Sequence, residues 1–85
     1  MGGWKPPEFS SEGFCAVLVK LGFVEKRKAR HGRLFGHPKR TGTGRMPFMV
    51  VPSSLRNDRQ FQKALVRDLI RYWDFTLDEI KNAFR

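Results

Sequence analysis

Phe14, Val17, Leu18 and Leu21 recur at the i, i+3, i+4, i+7 spacing of one helical face. Ser10 or Ser11 stands where an N-cap belongs, Glu12 falls in the first turn, and Gly22 sits where such a helix ends and the chain turns back. The pattern then shortens. Phe23 to Lys28 predicts a first strand, and Ala29–Gly32 a tight connection in which Gly32 is free to take a positive φ. Arg33 to His37 predicts a second strand ended by Pro38. Lys39–Arg45, with two Gly and two Thr among basic residues, predicts a flexible loop. Phe48-Met49-Val50-Val51, between Pro47 and Pro52, predicts a short apolar third strand.

A longer helix follows, capped by Asn57 or Asp58. Its stripe is Phe61, Leu65, Leu69 and Tyr72, widened by Ala64, Val66 and Ile70. Thr76-Leu77-Asp78-Glu79 matches a capping box, and Phe75 and Ile80 can close a hydrophobic staple across it. This last short helix lays Ile80, Ala83 and Phe84 over one end of the core. The expected fold class is α+β in the order α-β-β-β-α. It has a three-stranded antiparallel sheet, two main helices on one face, and a short C-terminal helix. The opposite sheet face is left to solvent or a ligand. Residues 1–9, with Gly2, Gly3, Pro6 and Pro7, read as a flexible lead-in whose Trp4 can pack back onto the domain; residues 10–85 read as one domain.

Length narrows the function classes. Eighty-five residues hold one small core, which excludes a deep pocket closed by two domains. The single Cys15 forms no internal disulfide and reads as core filler, which fits a reducing cytoplasm. No apolar run approaches the ~18 residues of a membrane span, so no membrane partner is expected. Charge is the distinctive feature. Seventeen Lys and Arg stand against eight Asp and Glu, for a net charge of +9. The excess is concentrated in residues 20–45, where Lys20, Lys26, Arg27, Lys28, Arg30, Arg33, Lys39, Arg40 and Arg45 face the single acid Glu25. A block of that kind attracts polyanions, which points to nucleic acid or an acidic protein.

No Walker loop, GxGxxG or Cys/His metal spacing is present, so neither a metal nor a cofactor is expected. His31 lies among Lys28, Arg30 and Arg33. Imidazole takes and gives a proton near neutral pH, and RNA carries its own nucleophile in the 2′-hydroxyl. One histidine beside fixed cations is thus a minimal ribonuclease site, although most surface histidines do no chemistry. His37, at the end of the second strand on the face of Arg33 and Phe35, reads as a locally packed or hydrogen-bonded residue. Tyr72 and Trp73 read as core or helix-junction residues rather than base-stacking platforms.

From Phe14 to Phe84 the chain resembles the HicA toxins of prokaryotic toxin–antitoxin pairs. The resemblance rests on Leu21-Gly22-Phe23 opening the first strand, on Leu34-Phe35-Gly36-His37-Pro38, on Met49-Val50-Val51-Pro52, and on Leu69-Ile70-Arg71 followed by Phe75-Thr76-Leu77-Asp78-Glu79. It implies a double-stranded-RNA-binding-domain-like fold and metal-independent cleavage of mRNA. It implies His31 as the catalytic residue, and a cognate HicB-type antitoxin with an acidic contact surface. Lys28-Ala29-Arg30 stands where that family has Gly-Ser before its histidine. In this reading Lys28, Arg30 and Arg33 neutralise the scissile phosphate, and Lys26, Arg27, Lys39, Arg40 and Arg45 hold the RNA backbone. Two alternatives explain the same charge: a non-catalytic RNA-binding module of this fold, and a basic protein-interaction domain.

Overall fold

The computed structural model describes residues 6–30, 32–39, 48–55 and 58–85. Its order is α1 (Ser11–Lys20), β1 (Val24–Ala29), β2 (Gly32–Gly36), β3 (Met49–Pro52), α2 (Arg59–Arg71) and α3 (Leu77–Ala83). The strands form one antiparallel sheet in the order β1-β2-β3. This is the α+β class that the sequence predicts, with each strand shifted one residue from its expected bounds.

Each helix end has a local cause. Ser10, not Ser11, caps α1, its Oγ accepting from the Gly13 N–H at 3.1 Å. At the other end Gly22 adopts φ 97°, the Gly22 N–H donates to Val19 O and the Phe23 N–H to Leu18 O. That is a Schellman closure, and it swings Phe23 straight into the core beside Leu18. Asp58 caps α2 through Phe61 N–H. The capping box of α3 forms as expected, with Thr76 N–H donating to Glu79 at 2.8 Å and Glu79 N–H to Thr76 Oγ1 at 3.2 Å.

One sheet face carries the core. Phe35, Met49 and Val51 pack with Phe14 and Leu18 of α1, Leu65 and Leu69 of α2, Ile80 of α3, and Phe23, Trp73 and Phe75 between elements. Alternation in β3 therefore buries Met49 and Val51 and turns Val50 outward, 48% exposed. Tyr72 packs partly against this core.

Three expectations need correction. Gly32 does not take a positive φ; among the described glycines only Gly22 does. Glycine is required there for space, because a Cβ would lie 2.7 Å from Val51 O across the strand pair. The buried stripe of α2 starts at Gln62, not at Phe61, which is 40% exposed, and Ile70 also faces out. The lead-in is part of the domain from Pro6 onward. Pro6 and Phe9 are buried, Phe9 stacks on Phe14 at 4.9 Å and touches Phe84 at 5.5 Å, and Arg59 donates to Pro6 O. Gln62 explains both α2 and the lead-in. Its Oε1 accepts from Phe9 N–H and Arg59 at 3.2 Å, and its Nε2 donates to Leu55 O at 2.8 Å. One amide thus ties the N-terminal segment and the β3–α2 connection to α2, so burying it leaves no unmet polar atom.

Candidate nucleic-acid interface

A β-bulge sets where the basic side chains go. Glu25 pairs with Phe35 and Arg27 with Leu34, so Lys26 is the extra residue. Cross-strand partners share a sheet face. Glu25 and Lys28, opposite Phe35 and Arg33, therefore lie on the helix side, whereas Arg27, opposite Leu34, lies on the outer side. Lys26 runs across the outer surface of Gly36, its alkyl chain where a Cβ would sit and next to Phe48. The basic run of β1 is thereby divided between two faces.

On the helix side Arg33 is already engaged. Its Nε donates to Glu25 at 2.8 Å and its Nη2 at 2.6 Å, and its guanidinium lies 5.6 Å from the centre of the Phe35 ring. The hydrogen bonds from Arg33 hold the Glu25 carboxyl below its ordinary range, and the same contact raises Arg33 further, so both stay charged. Arg33 was expected beside a scissile phosphate; here its fork is filled by the one acid of the basic block. Lys28 has no such partner among the described hydrogen bonds and ion pairs. It lines a cavity of about 230 Å³ with Ser11, Glu12, Gly32, Arg33 and Ser53, at the start of α1. Arg30 is exposed at the connection after β1. This end of the fold therefore gathers Lys28, Arg30 and Arg33. His31 lies between Arg30 and Gly32 in the chain but outside the described residues, as do Trp4, Arg40 and Arg45.

At the opposite end of β2 His37 is built into the fold. Lys39 N–H donates to Nδ1 at 3.1 Å, which makes Nδ1 the acceptor and leaves Nε2–H to donate to Leu21 O at 2.9 Å. The ring stands edge-on to Phe23 at 5.1 Å and contacts Phe75 at 5.8 Å. Gly22 makes this possible, since a Cβ there would come within 2.7 Å of Nε2. Cys15 is buried in α1 and its thiol is pushed up by burial. Trp73 is buried between elements. Among the described residues no three His, Cys, Asp or Glu side chains gather as a metal site would need. No described helix is long and apolar enough to cross a membrane.

No family model, curated protein or solved structure matches the chain. Two residues that shape these surroundings, Glu25 beside Arg33 and Gly22 beside His37, carried no functional signal in the sequence. Glu25 was visible only as the lone acid in a basic block.

Proposed function

We propose that the chain is a small, metal-independent endoribonuclease of the HicA type that cleaves mRNA. The observation that carries this reading is the set of cations at the β1–β2 end, where Lys28, Arg30 and Arg33 surround the sequence position of His31. In this reading His31 moves the proton, as base at the 2′-hydroxyl or as acid at the leaving 5′-oxygen. Lys28 and Arg30 hold the phosphate, and Arg33 reaches it by exchanging Glu25 for the phosphate oxygens. Lys26 and Arg27 on the outer face, with Lys39, Arg40 and Arg45, steer the RNA backbone. A cognate antitoxin with an acidic surface covers the basic block, and the pair acts in the cytoplasm. Expressing wild type and His31→Ala in cells and comparing growth and RNA integrity tests the activity. The reading requires growth arrest and RNA loss with wild type only.

One observation favours a second reading, a non-catalytic RNA-binding module. Lys28-Ala29-Arg30 replaces the small Gly-Ser that precedes the histidine in the HicA family. If purified wild type binds RNA and leaves it intact, this second reading takes the place of the first.

A further inference from the structure

Away from the β1–β2 end, a cavity of about 660 Å³ opens where the end of α1, the end of β2 and α3 meet. Its walls include Lys20, Gly22, His37, Lys39, Phe75, Asn82 and one acid, Glu79, whose Oε1 accepts from Thr76 N–H at 2.8 Å in the α3 capping box. A volume of several hundred Å³ is that of a pocket for an organic ligand rather than of a bare ion. The chemistry of the walls narrows the ligand. Two ammonium groups, from the last turn of α1 and from the residue after Pro38, outnumber the one carboxylate, Glu79, which is held by its own helix cap, and so favour an anion. The Lys20 Nζ donates to Arg85 O at 2.7 Å. The negative end of α1 does not oppose an anion strongly, because Gly22 and Phe23 N–H and His37 Nε2–H cover its last carbonyls. Between the cations stands the half-buried His37, fixed by two hydrogen bonds and two aromatic edges. A rigid planar ring beside two cations and a side-chain amide suits a planar heterocycle joined to a phosphate.

We infer that this cavity receives one unpaired nucleotide of an RNA strand, its base against His37 and its phosphate between Lys20 and Lys39. Proteins that read RNA in single strands and loops stack splayed bases on rings of this kind, histidine included. The inference rests on the ribonuclease reading and extends it to substrate class. His37 is about 17 Å from Gly32 along β2, at ~3.3 Å per residue. The nucleotide held here is therefore not the one cut beside His31 but lies several positions along the same strand. Single-stranded or looped RNA is then preferred over a continuous duplex.

The test follows backbone amide resonances of the wild-type protein while adding inorganic phosphate, 5′-AMP, or an unstructured 2′-O-methyl oligoribonucleotide that cannot be cleaved. The amides of Gly22, Lys39 and Asn82 should move with 5′-AMP and with the oligonucleotide, and stay still in equal phosphate. Replacing both rim cations, Lys20→Gln with Lys39→Gln, should weaken oligonucleotide binding roughly tenfold with an unchanged melting temperature. Both are exposed side chains, so the fold is kept where His37→Ala would disturb it. Equal movement with phosphate overturns the nucleotide assignment in favour of an anion site. Movement confined to Lys26–Gly32 overturns the cavity and leaves RNA binding standing. No movement anywhere with the oligonucleotide removes the RNA reading, and this inference with it.

Discussion

A single buried amide joins two segments that lie far apart in the chain. Gln62 is fully buried and serves Phe9 N–H and Leu55 O together. Gln62→Leu keeps the volume but leaves a donor and an acceptor without partners, each worth about 1–3 kcal/mol. A loss of about 2–4 kcal/mol is expected in urea unfolding. Gln62→Glu would fare no better, since a carboxylate cannot donate to Leu55 O. A second residue-scale outcome concerns acid. The Glu25 carboxyl is lowered by hydrogen bonds from Arg33, so the pair stabilises the fold above the ordinary carboxylate value of ~4.3. That contribution is lost as pH falls through the lower folded value. Thermal melts of wild type and Glu25→Gln should therefore differ at neutral pH and converge only once the pH lies below the lowered folded value of Glu25. A gap that persists there would mean the charge of Glu25 is not what stabilises the pair. His31→Ala should slow RNA cleavage by roughly 10²–10⁴-fold with affinity nearly kept, as single-turnover assays and filter binding would show.

Among the elements, β3 gives the sharpest contrast. Val50 and Val51 are neighbours of equal hydrophobicity, yet Val51 is buried and Val50 half exposed. Val51→Asp buries an unpaired charge at a cost of several kcal/mol, on the order of the stability of so small a chain. Val50→Asp should fold with a melting temperature near wild type. Circular dichroism on the two variants separates them. The elements themselves were legible because their signals are local. Ser10, Gly22 and the Thr76–Glu79 box lie within one helical turn of what they terminate. The misreadings came from signals that are not local. Gln62 looks like a surface residue to hydropathy, and only Phe9 and Leu55, distant in the chain, make its burial tolerable. The bulge at Lys26 leaves no mark in a run of charged residues, so which of them share a sheet face was out of reach. The Glu25–Arg33 pair depends on the same register, since Arg33 is a diagonal neighbour two residues from the position opposite Glu25. His37 was readable as a local structural residue, but the partner that makes room for it, Gly22, was not.

For the molecule as a whole, electrostatics dominates the expected behaviour. A net +9 predicts RNA affinity that falls steeply with salt, by about 0.7 in log K per log salt for each phosphate neutralised on a single strand. Lys28→Ala should remove about one such increment, whereas Arg33→Ala should remove less, because its guanidinium must first leave Glu25. Equal losses in a salt titration would show that Arg33 exchanges partners freely. The contact of Phe9 with Phe84 bears on how the chain reaches this charged state. Phe9 leaves the ribosome early and Phe84 late, and Gln62 joins the early segment only after α2 exists. The stacked rings of Phe9 and Phe14 thus wait uncovered while the rest of the domain is made. Closing contacts of such long sequence separation is slow. Until Phe84 is made, the growing chain carries this aromatic pair without its last ring neighbour, beside a block of positive charge.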